Sequence, residues 1–352
     1  MDQRELFYRS LRHEPGCPVP SDVFEGWMWP GMVDKLKDRL KAASDEDLLV
    51  QLGVANRWVT PYYTGPALPP GAKDRIAGPH TVHSLNGAIW GIKPGIHEHG
   101  LGSAGHPLAR ANTPQDLAGY PWPSAGWFDF DGMRASALSH AGYFVTVGGF
   151  SPLFYLIADL CGMEKALIDL VDKPDLIEAL VEQIVQFYRD YFTRIAIKGR
   201  GCIDAIAFGD DFASQLNMLM HPRLWRRYFK PAWAELFAIA RQYGYVTMFH
   251  SCGSVYQVIP DLIEIGLDVL YPVQPQAVGM DLAQLKQKYG KAITFSGGID
   301  VQDLLPFKSP QEVRAEVRRL RDLFAEDGGF ILTSSHVIMD DFPIENVLAL
   351  YD

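Results

Sequence analysis

The sequence predicts an α/β fold, a closed (β/α)8 TIM barrel in which eight parallel strands alternate with helices. Short apolar, β-rich runs alternate with helical segments along most of the chain, and such alternation implies a parallel sheet. Eight runs can be counted in the 352 residues, a length that suits one barrel of about 250 residues with insertions. Polar residues follow several runs, as expected when chemistry gathers at one rim of a barrel. An open doubly wound sheet is the alternative.

The first part of the chain is predicted to contain an N-terminal helical segment, two strands and a long insertion. Helices are expected at 3–13 and at about 32–42, and strands at 22–28 and 54–59. Residues 61–123 are irregular and rich in Gly, Pro and His, apart from a hairpin-like alternation at 81–92. Because this stretch has too few contiguous apolar residues for its own core, we expect an insertion over the C-terminal rim of a single domain, residues 1–352.

The remainder of the chain shows a regular rhythm. Six further strands are predicted at 143–150, 202–208, 245–249, 268–272, 292–295 and 330–333. Helical segments lie between them, at 174–198, at about 223–243, and at about 281–289 and 310–326. In residues 174–198 the apolar side chains from Ile177 to Ile195 recur at helical spacing, which predicts one buried helix face.

Composition excludes several classes of protein. Hydrophobic residues make up 48% and charged residues 21% of the chain, which favours a large core over disorder. The net charge of −10 argues against nucleic-acid binding, and no apolar run reaches the roughly 20 residues that span a membrane. The N-terminus has no signal-peptide core. Four cysteines form no disulfide framework, so a cytoplasmic location is expected.

A candidate metal site lies in the stretch YVTMFHSCGSV, residues 245–255. His250 and Cys252 follow an apolar strand, so a barrel would place an imidazole and a thiol at its functional rim. Zinc favours these two ligands. His336 follows the last strand and is the predicted third ligand, which leaves the fourth position open for a reactant. The alternative is that each residue is a polar group hydrogen-bonded at the start of a loop.

Asp210 and Asp211 are the candidate catalytic acids, because they follow the strand at 202–208. Adjacent residues of an extended chain point to opposite sides, so at most one faces the axis, where it binds substrate, moves a proton or orients a metal-bound histidine. The alternative is helix capping. Candidate substrate-binding residues, which could instead belong to the core, also lie at or just past strand ends: Trp27, Trp29, Phe150, Tyr155, Phe212 and Gln274.

Several motifs in a fixed order carry a family resemblance. They are HPLARANTPQDLAGYPWP (106–123), FGDDFASQ (208–215), HPRLWRRYFKPAWAEL (221–236), HSCGSVYQVIPDLIEIGLDVLYPVQ (250–274) and FSGGIDVQDLLPFKSPQEVRAEV (295–317). The sequence resembles the uroporphyrinogen decarboxylase-like superfamily over nearly its whole length. This resemblance implies a (β/α)8 barrel with its site at the C-terminal rim.

The resemblance also implies a choice between two branches. Decarboxylases hold a four-carboxylate porphyrinogen with an arginine-bearing N-terminal segment, but residues 18–31 contain no arginine. Cobalamin-dependent methyltransferases use a zinc site of His-x-Cys followed by a distant Cys, and here His250 and Cys252 match while His336 stands third. The resemblance therefore favours a zinc-dependent methyltransferase that works with a separate corrinoid protein. The aromatic residues at the strand ends favour an enzyme of demethylase type that acts on a small methylated compound.

Two alternatives stay open on the sequence. One is a metal-independent decarboxylase of a porphyrinogen-like or smaller acid, in which Asp210 or Asp211 stabilises a cationic intermediate. The other is a non-catalytic barrel with a structural zinc ion. The expected partners are the small methyl donor or acceptor and the corrinoid protein, with neither nucleic acid nor membrane, and the chain is compatible with a homodimer.

Overall fold

The main sheet of the protein is parallel and curled. The computed structural model describes residues 2–68, 88–95 and 102–352. In chain order its strands are β1 (Asn56–Val59), β2 (Tyr62–Tyr63), β3 (Lys93–Gly95), β4 (Gly102–Gly105), β5 (Phe128–Asp129), β6 (Phe144–Gly148), β7 (Ala205–Gly209), β8 (Val246–His250), β9 (Val269–Val273), β10 (Thr294–Ile299) and β11 (Phe330–Ser334). Seven of them form the main sheet in the order β1-β6-β7-β8-β9-β10-β11, and the strands predicted from residue 143 onward are all present.

The expected strand at 22–28 is not part of this sheet. Only Ser21 forms parallel bridges, one to Val54, just before β1, and one to Leu332 of β11. Beyond it the chain turns through a short 3₁₀ helix, Phe24–Gly26, in which Glu25 has a φ of 44° and Gly26 a φ of 77°. A backbone in the left-handed region cannot continue a strand. The fold is thus TIM-barrel-like, with a main sheet of seven regular strands. Ser21 bridges the chain at both edges of this sheet, and closure by an eighth strand stays a prediction.

Helices cover the outside of the sheet. They are α1 (Gln3–Leu11), α2 (Pro30–Leu40), α3 (Asp45–Gln51), α4 (Phe130–Leu138), α5 (Phe154–Cys161), α6 (Met163–Asp172), α7 (Pro174–Lys198), α8 (Pro222–Tyr228), α9 (Lys230–Gln242), α10 (Ile259–Glu264), α11 (Leu282–Tyr289), α12 (Leu304–Phe307), α13 (Pro310–Phe324) and α14 (Ile344–Tyr351). The predicted helix at 223–243 is two helices, because Pro231 at the start of α9 lacks the N–H that would continue α8. Among the described residues no helix is both long and apolar enough to cross a membrane.

The amino-terminal ends of the strands are closed by α1. Phe7 is fully buried with Phe144, Ala205 and Met248 in a small cluster inside the curled sheet, and its ring stacks on Phe144 at a centroid distance of 4.1 Å. The short side chains of Ala55, Ala205 and Ala207 leave room for the two aromatic rings. The opposite ends of the strands, where β7 and β8 finish, are therefore the open end of the fold.

The described parts of the predicted insertion pack against the long helix α7. Trp90 is fully buried, with its ring 5.1 Å from that of Phe187 in α7, and β2 pairs with β5 in an antiparallel two-stranded sheet. Of the hairpin predicted at 81–92, residues 81–87 lie outside the described residues. The described residues of this stretch thus include members of the main core, such as Ile89, Trp90 and Ile92.

Candidate functional site

The candidate site lies where the neighbouring strands β7 and β8 end. His250 is the last residue of β8 and is 3% exposed. The chain then turns at Gly253, which has a φ of 81°; a Cβ there would lie 2.5 Å from the carbonyl oxygen of Ser214. Only glycine tolerates both the conformation and the close approach. This turn brings Cys252 back beside His250 and against the loop that follows β7.

Three potential metal ligands gather at this point. His250 Nε2 lies 3.6 Å from Cys252 Sγ and 3.6 Å from Asp211 Oδ1, while the Cys252 backbone N–H donates to Asp211 Oδ1 at 2.8 Å. The three ligand atoms all lie within 4.8 Å of one another. For a tetrahedral zinc ion with ordinary bond lengths, ligand atoms are separated by roughly 3.4–3.6 Å. The donor types and their spacing therefore fit zinc.

His336, the predicted third ligand, lies outside this group of atoms within 4.8 Å, and its role as a ligand stays a prediction. Its ring stacks on Phe24 at a centroid distance of 5.0 Å, and the Phe24 ring also lies 5.6 Å from that of His250. Phe24 thus contacts both imidazoles. The reason lies in strand order: β11 is separated from β8 by two strands, whereas β7, which precedes Asp211, is directly hydrogen-bonded to β8. His336 is exposed at the open end, close enough for its charge to help lower the pKa of Asp211.

The electrostatics of the three groups are coupled. Burial alone would raise the pKa of Asp211, but the hydrogen bond and charge of His250 hold it below its usual value. Burial would lower the pKa of His250, yet the neighbouring Cys252, Glu25 and Asp211 raise it well above 6.5. Burial and the Asp211 carboxylate raise the pKa of Cys252 to about 11. The group therefore favours a positive charge at its centre.

Asp210 has a different environment from its neighbour. It is fully buried, and its two oxygens accept the backbone N–H groups of Phe154 (2.8 Å) and Tyr155 (3.0 Å). Burial raises its pKa to about 7. Both oxygens of Asp210 therefore serve the first turn of α5, which is the helix-capping role that the sequence left open beside catalysis.

Glu25 is a site residue that the sequence analysis missed. It is 2% exposed, its Oε1 lies 3.1 Å from His250 Nδ1, and the Tyr271 hydroxyl donates to the same oxygen at 3.2 Å. The signal that could have found it is a lone glutamate between aromatic residues, in FEGWMW. A buried carboxylate there demands a polar partner inside the fold.

The aromatic residues predicted to bind substrate form two pairs of neighbouring rings and one separate ring. The Phe150 ring lies 5.5 Å from that of His250 and 6.0 Å from that of Tyr155, and both aromatic residues are half-buried. Trp27 and Trp29 lie 6.0 Å apart, with Trp29 exposed. Phe212 is instead fully buried against Trp225 and Phe249, which is the core position that the sequence left open as the alternative to substrate binding.

Gln274 connects the loops of the site instead of offering a free amide. Its Oε1 accepts from the Gly253 N–H at 2.8 Å and from Gln215 Nε2 at 2.7 Å. Its Nε2 donates to the Ser335 carbonyl at 3.3 Å. These contacts join the Cys252 turn to the residue before His336, and the predicted role of Gln274 in substrate binding stays a prediction.

Comparison with known proteins supports the fold and the family. The family model of uroporphyrinogen decarboxylase (URO-D) matches residues 141–352, more than half of the chain. A methyltransferase from Methanosarcina mazei has a similar structure, with a TM-score of 0.67 at 18% identity, over 99% of this chain and 97% of that one. A B12-independent methionine synthase from Shewanella sp. W3-18-1 matches with a TM-score of 0.45 at 12% identity, over 95% and 94% of the two chains, too weakly to support an argument. A search of the curated proteins found no match.

Proposed function

Because the chain belongs to the uroporphyrinogen decarboxylase family, we propose that it is a zinc-dependent methyltransferase of that family. It transfers a methyl group between a small methylated substrate, such as a methoxy compound, and a separate corrinoid protein. The observation that carries this proposal is the group formed by Asp211, His250 and Cys252 at the open end of the sheet. A thiol, an imidazole and a carboxylate at tetrahedral spacing form a set that suits zinc.

The surroundings of this group do not suit a porphyrinogen. Residues 18–31 contain no arginine, and the side chain that this segment places beside His250 is an acid, Glu25. A substrate with four carboxylates would therefore meet a negative charge there, and burying unpaired carboxylates is costly. Phe150 and Tyr155 supply apolar surface instead, which suits a small and largely uncharged molecule.

Asp211, His250 and Cys252 would hold the zinc ion. When bound, zinc supplies Lewis-acid chemistry, which polarises a methoxy oxygen or lowers the pKa of a thiol acceptor. The neighbouring residues bind and orient the substrate. The Phe150 ring lies near those of His250 and Tyr155, and the Phe24 ring lies near those of His250 and His336.

The reaction also needs a proton donor. In demethylation the bond between the methyl carbon and oxygen breaks. The reduced corrinoid would supply the electron pair for the new bond to the methyl group, while the oxygen keeps the pair of the broken bond and takes up a proton. His336 is placed to supply it, since it is exposed at the open end and stacks on Phe24. An imidazole can exchange protons with solvent near neutral pH.

A metal-independent decarboxylase is the second candidate, and two observations favour it. The matching family model is that of a decarboxylase, and Asp211 is an acid at the open end with a lowered pKa, as required of a carboxylate that stabilises a cationic intermediate. Decarboxylation that survives complete removal of metal, with no corrinoid protein present, would favour this candidate over methyl transfer.

The decisive experiment measures zinc by elemental analysis in the purified protein and in single variants. We expect about one zinc ion per chain, and its loss in His250→Ala and Cys252→Ala, because each removes a ligand. Asp211→Ala weakens zinc binding by more than about 100-fold, a larger effect than the loss of an outer contact. His336→Ala is the matched comparison and keeps its zinc. If His250→Ala and Cys252→Ala bind zinc as the unchanged protein does, the proposed site is wrong.

A second assay tests the reaction itself. The zinc-loaded protein is mixed with a reduced corrinoid protein and a series of methoxylated aromatic compounds, and methylcobalt formation is followed by absorption. His336→Ala is expected to lower the rate of methyl transfer with little change in zinc content. Methyl transfer at an unchanged rate in the Cys252→Ala protein would contradict the proposal.

A further inference from the structure

We propose that Glu25 is a positioning residue that fixes the ring of His250, so that Nε2 is always the nitrogen presented to the metal. The inference deepens the proposed function and rests on it for the identity of the ligand. It concerns the other side of the imidazole, which the three-ligand group does not use.

The two ring nitrogens of His250 face different partners. Nε2 faces Cys252 and Asp211 at 3.6 Å each, whereas Nδ1 faces Glu25 Oε1 at 3.1 Å. Within the described residues Nδ1 makes no hydrogen bond of acceptable geometry, although Glu25 Oε1 is within reach. A slight turn of the ring or of the carboxylate completes the Nδ1–H···Oε1 bond. When zinc is bound, that bond would hold the one ring proton on Nδ1 and direct the Nε2 lone pair to the metal.

Glu25 is itself held in place by its surroundings. The Tyr271 hydroxyl donates to the same oxygen, Oε1, at 3.2 Å, and the Tyr271 ring stands perpendicular to that of His250 at a centroid distance of 5.4 Å. Tyr271 and His250 lie on adjacent, directly paired strands. The carboxylate is thus oriented by the rigid sheet, although its backbone belongs to a turn.

The backbone at Glu25 is strained in a way that a purely apolar role would not require. Its φ of 44° lies in the left-handed region, which side-chain-bearing residues seldom adopt. The following Gly26 is pinned against Trp58, since a Cβ at Gly26 would lie 2.7 Å from Trp58 Cβ. Strain of this kind persists where the surrounding structure fixes a functional group. Here it aims a buried carboxylate at His250.

The experiment compares Glu25→Gln with the unchanged protein and with Asp22→Asn. Asp22 is the matched control, a buried carboxyl three residues earlier that contacts Asn56 and Val23. Zinc affinity is measured by competition with a chromogenic chelator. We expect Glu25→Gln to bind zinc about 10- to 100-fold more weakly, the usual range for a lost outer contact, and Asp22→Asn to bind as the unchanged protein does.

A second readout is independent of zinc. In protein labelled with ¹⁵N-histidine, the His250 Nδ1–H should give a slowly exchanging, downfield proton resonance, assigned by its loss in His250→Ala. We expect Glu25→Gln to shift or remove this resonance in metal-free protein and Asp22→Asn to retain it. Tyr271→Phe, which removes only the hydroxyl, should shift the resonance in the same direction as Glu25→Gln but by a smaller amount. This variant tests the inference if Glu25→Gln fails to fold.

The outcomes separate the two proposals. If the unchanged protein binds no zinc, the proposed function fails, while the Nδ1–H resonance still decides the role of Glu25. If zinc binds but Glu25→Gln leaves both affinity and resonance unchanged, the inference about Glu25 is overturned and the zinc site stands. Equal weakening in Glu25→Gln and Asp22→Asn also overturns it, because that result would show a general effect of altering the segment.

Discussion

The two ends of strand β7 are flanked by aspartates with opposite roles, a buried one (Asp204) and a partly exposed one (Asp211). At the amino-terminal end, Asp204 accepts from Arg4 at 2.9 and 2.6 Å, from the Tyr8 hydroxyl at 2.8 Å and from the Val145 N–H at 2.9 Å. At the other end, Asp211 accepts one backbone N–H and faces His250 and Cys252. The difference teaches that burial does not by itself mark a functional acid, because what matters is whether its oxygens are already used by the fold.

The strongest test of this comparison is Asp204→Ala. This substitution leaves the Tyr8 hydroxyl and the Val145 N–H without their acceptor. Each buried donor without a hydrogen-bond partner destabilises the folded state by about 1–3 kcal/mol. We expect the free energy of unfolding, measured in urea, to fall by about 3–5 kcal/mol, while zinc binding is retained in protein that folds. Asp211→Ala should show the reverse pattern. Loss of zinc in Asp204→Ala protein of native circular dichroism would break the comparison.

Asp22 provides a pH-dependent version of the test. Burial raises its pKa from 3.8 to about 6, so between these values the folded protein binds more protons than the unfolded chain, and Asp22 makes stability fall as pH rises from about 4 to 6. Asp22→Asn removes this pH dependence. The free energy of unfolding of Asp22→Asn minus that of the unchanged protein should therefore be larger at pH 7 than at pH 4. At about 1.4 kcal/mol per pKa unit, the increase is up to about 3 kcal/mol. Denaturant unfolding at both pH values checks this, and an equal difference at each would contradict it.

Asp210→Ala sharpens the contrast between adjacent acids. Its oxygens accept the first N–H groups of α5, and the loss of such a cap costs about 0.5–2 kcal/mol. We expect a thermal midpoint lowered by about 1–3 °C with zinc content unchanged, measured by calorimetry and elemental analysis. A variant that loses zinc but keeps its thermal stability would assign Asp210 to the metal site.

The smallest expected effect belongs to Arg4→Ala. The Arg4 side chain is 49% exposed, whereas that of Asp204 is 2% exposed, and a half-exposed ion pair contributes about 1 kcal/mol or less. Tyr8 and Val145 still satisfy Asp204 in this variant. A loss of stability as large as that of Asp204→Ala would show that the arginine, not the buried donors, dominates the closed end.

Much of the fold follows from the sequence because its signals are local. The strands from β6 onward are apolar runs bounded by glycines or polar residues, and α7 shows a stripe of apolar residues at helical spacing, so both were predicted close to their observed bounds. The segment at 22–28 misled because aromatic residues favour strands, while the left-handed backbone at Glu25 depends on contacts with His250 and Tyr271, which are distant in sequence.

The site was predictable only in part for the same reason. His250 and Cys252 are two residues apart, so their proximity is a local property of one strand end and its turn. The place of Asp211 beside them depends on β7 and β8 being neighbours in the sheet, and the place of His336 depends on the distance between β8 and β11. The sequence named all four residues, but which three gather is decided by strand order.

The bridges of Ser21 to both Val54 and Leu332 have a consequence for how this protein could change over time. Within six residues the same segment joins the sheet's two borders and then lays Phe24 and Glu25 across its open end. Substitutions in this segment that adapt the site to a new molecule would also disturb the bridges between the two edges of the sheet. Changes of specificity should therefore arise at Phe150, Tyr155 and the loop beyond β6, where substitutions leave these bridges intact.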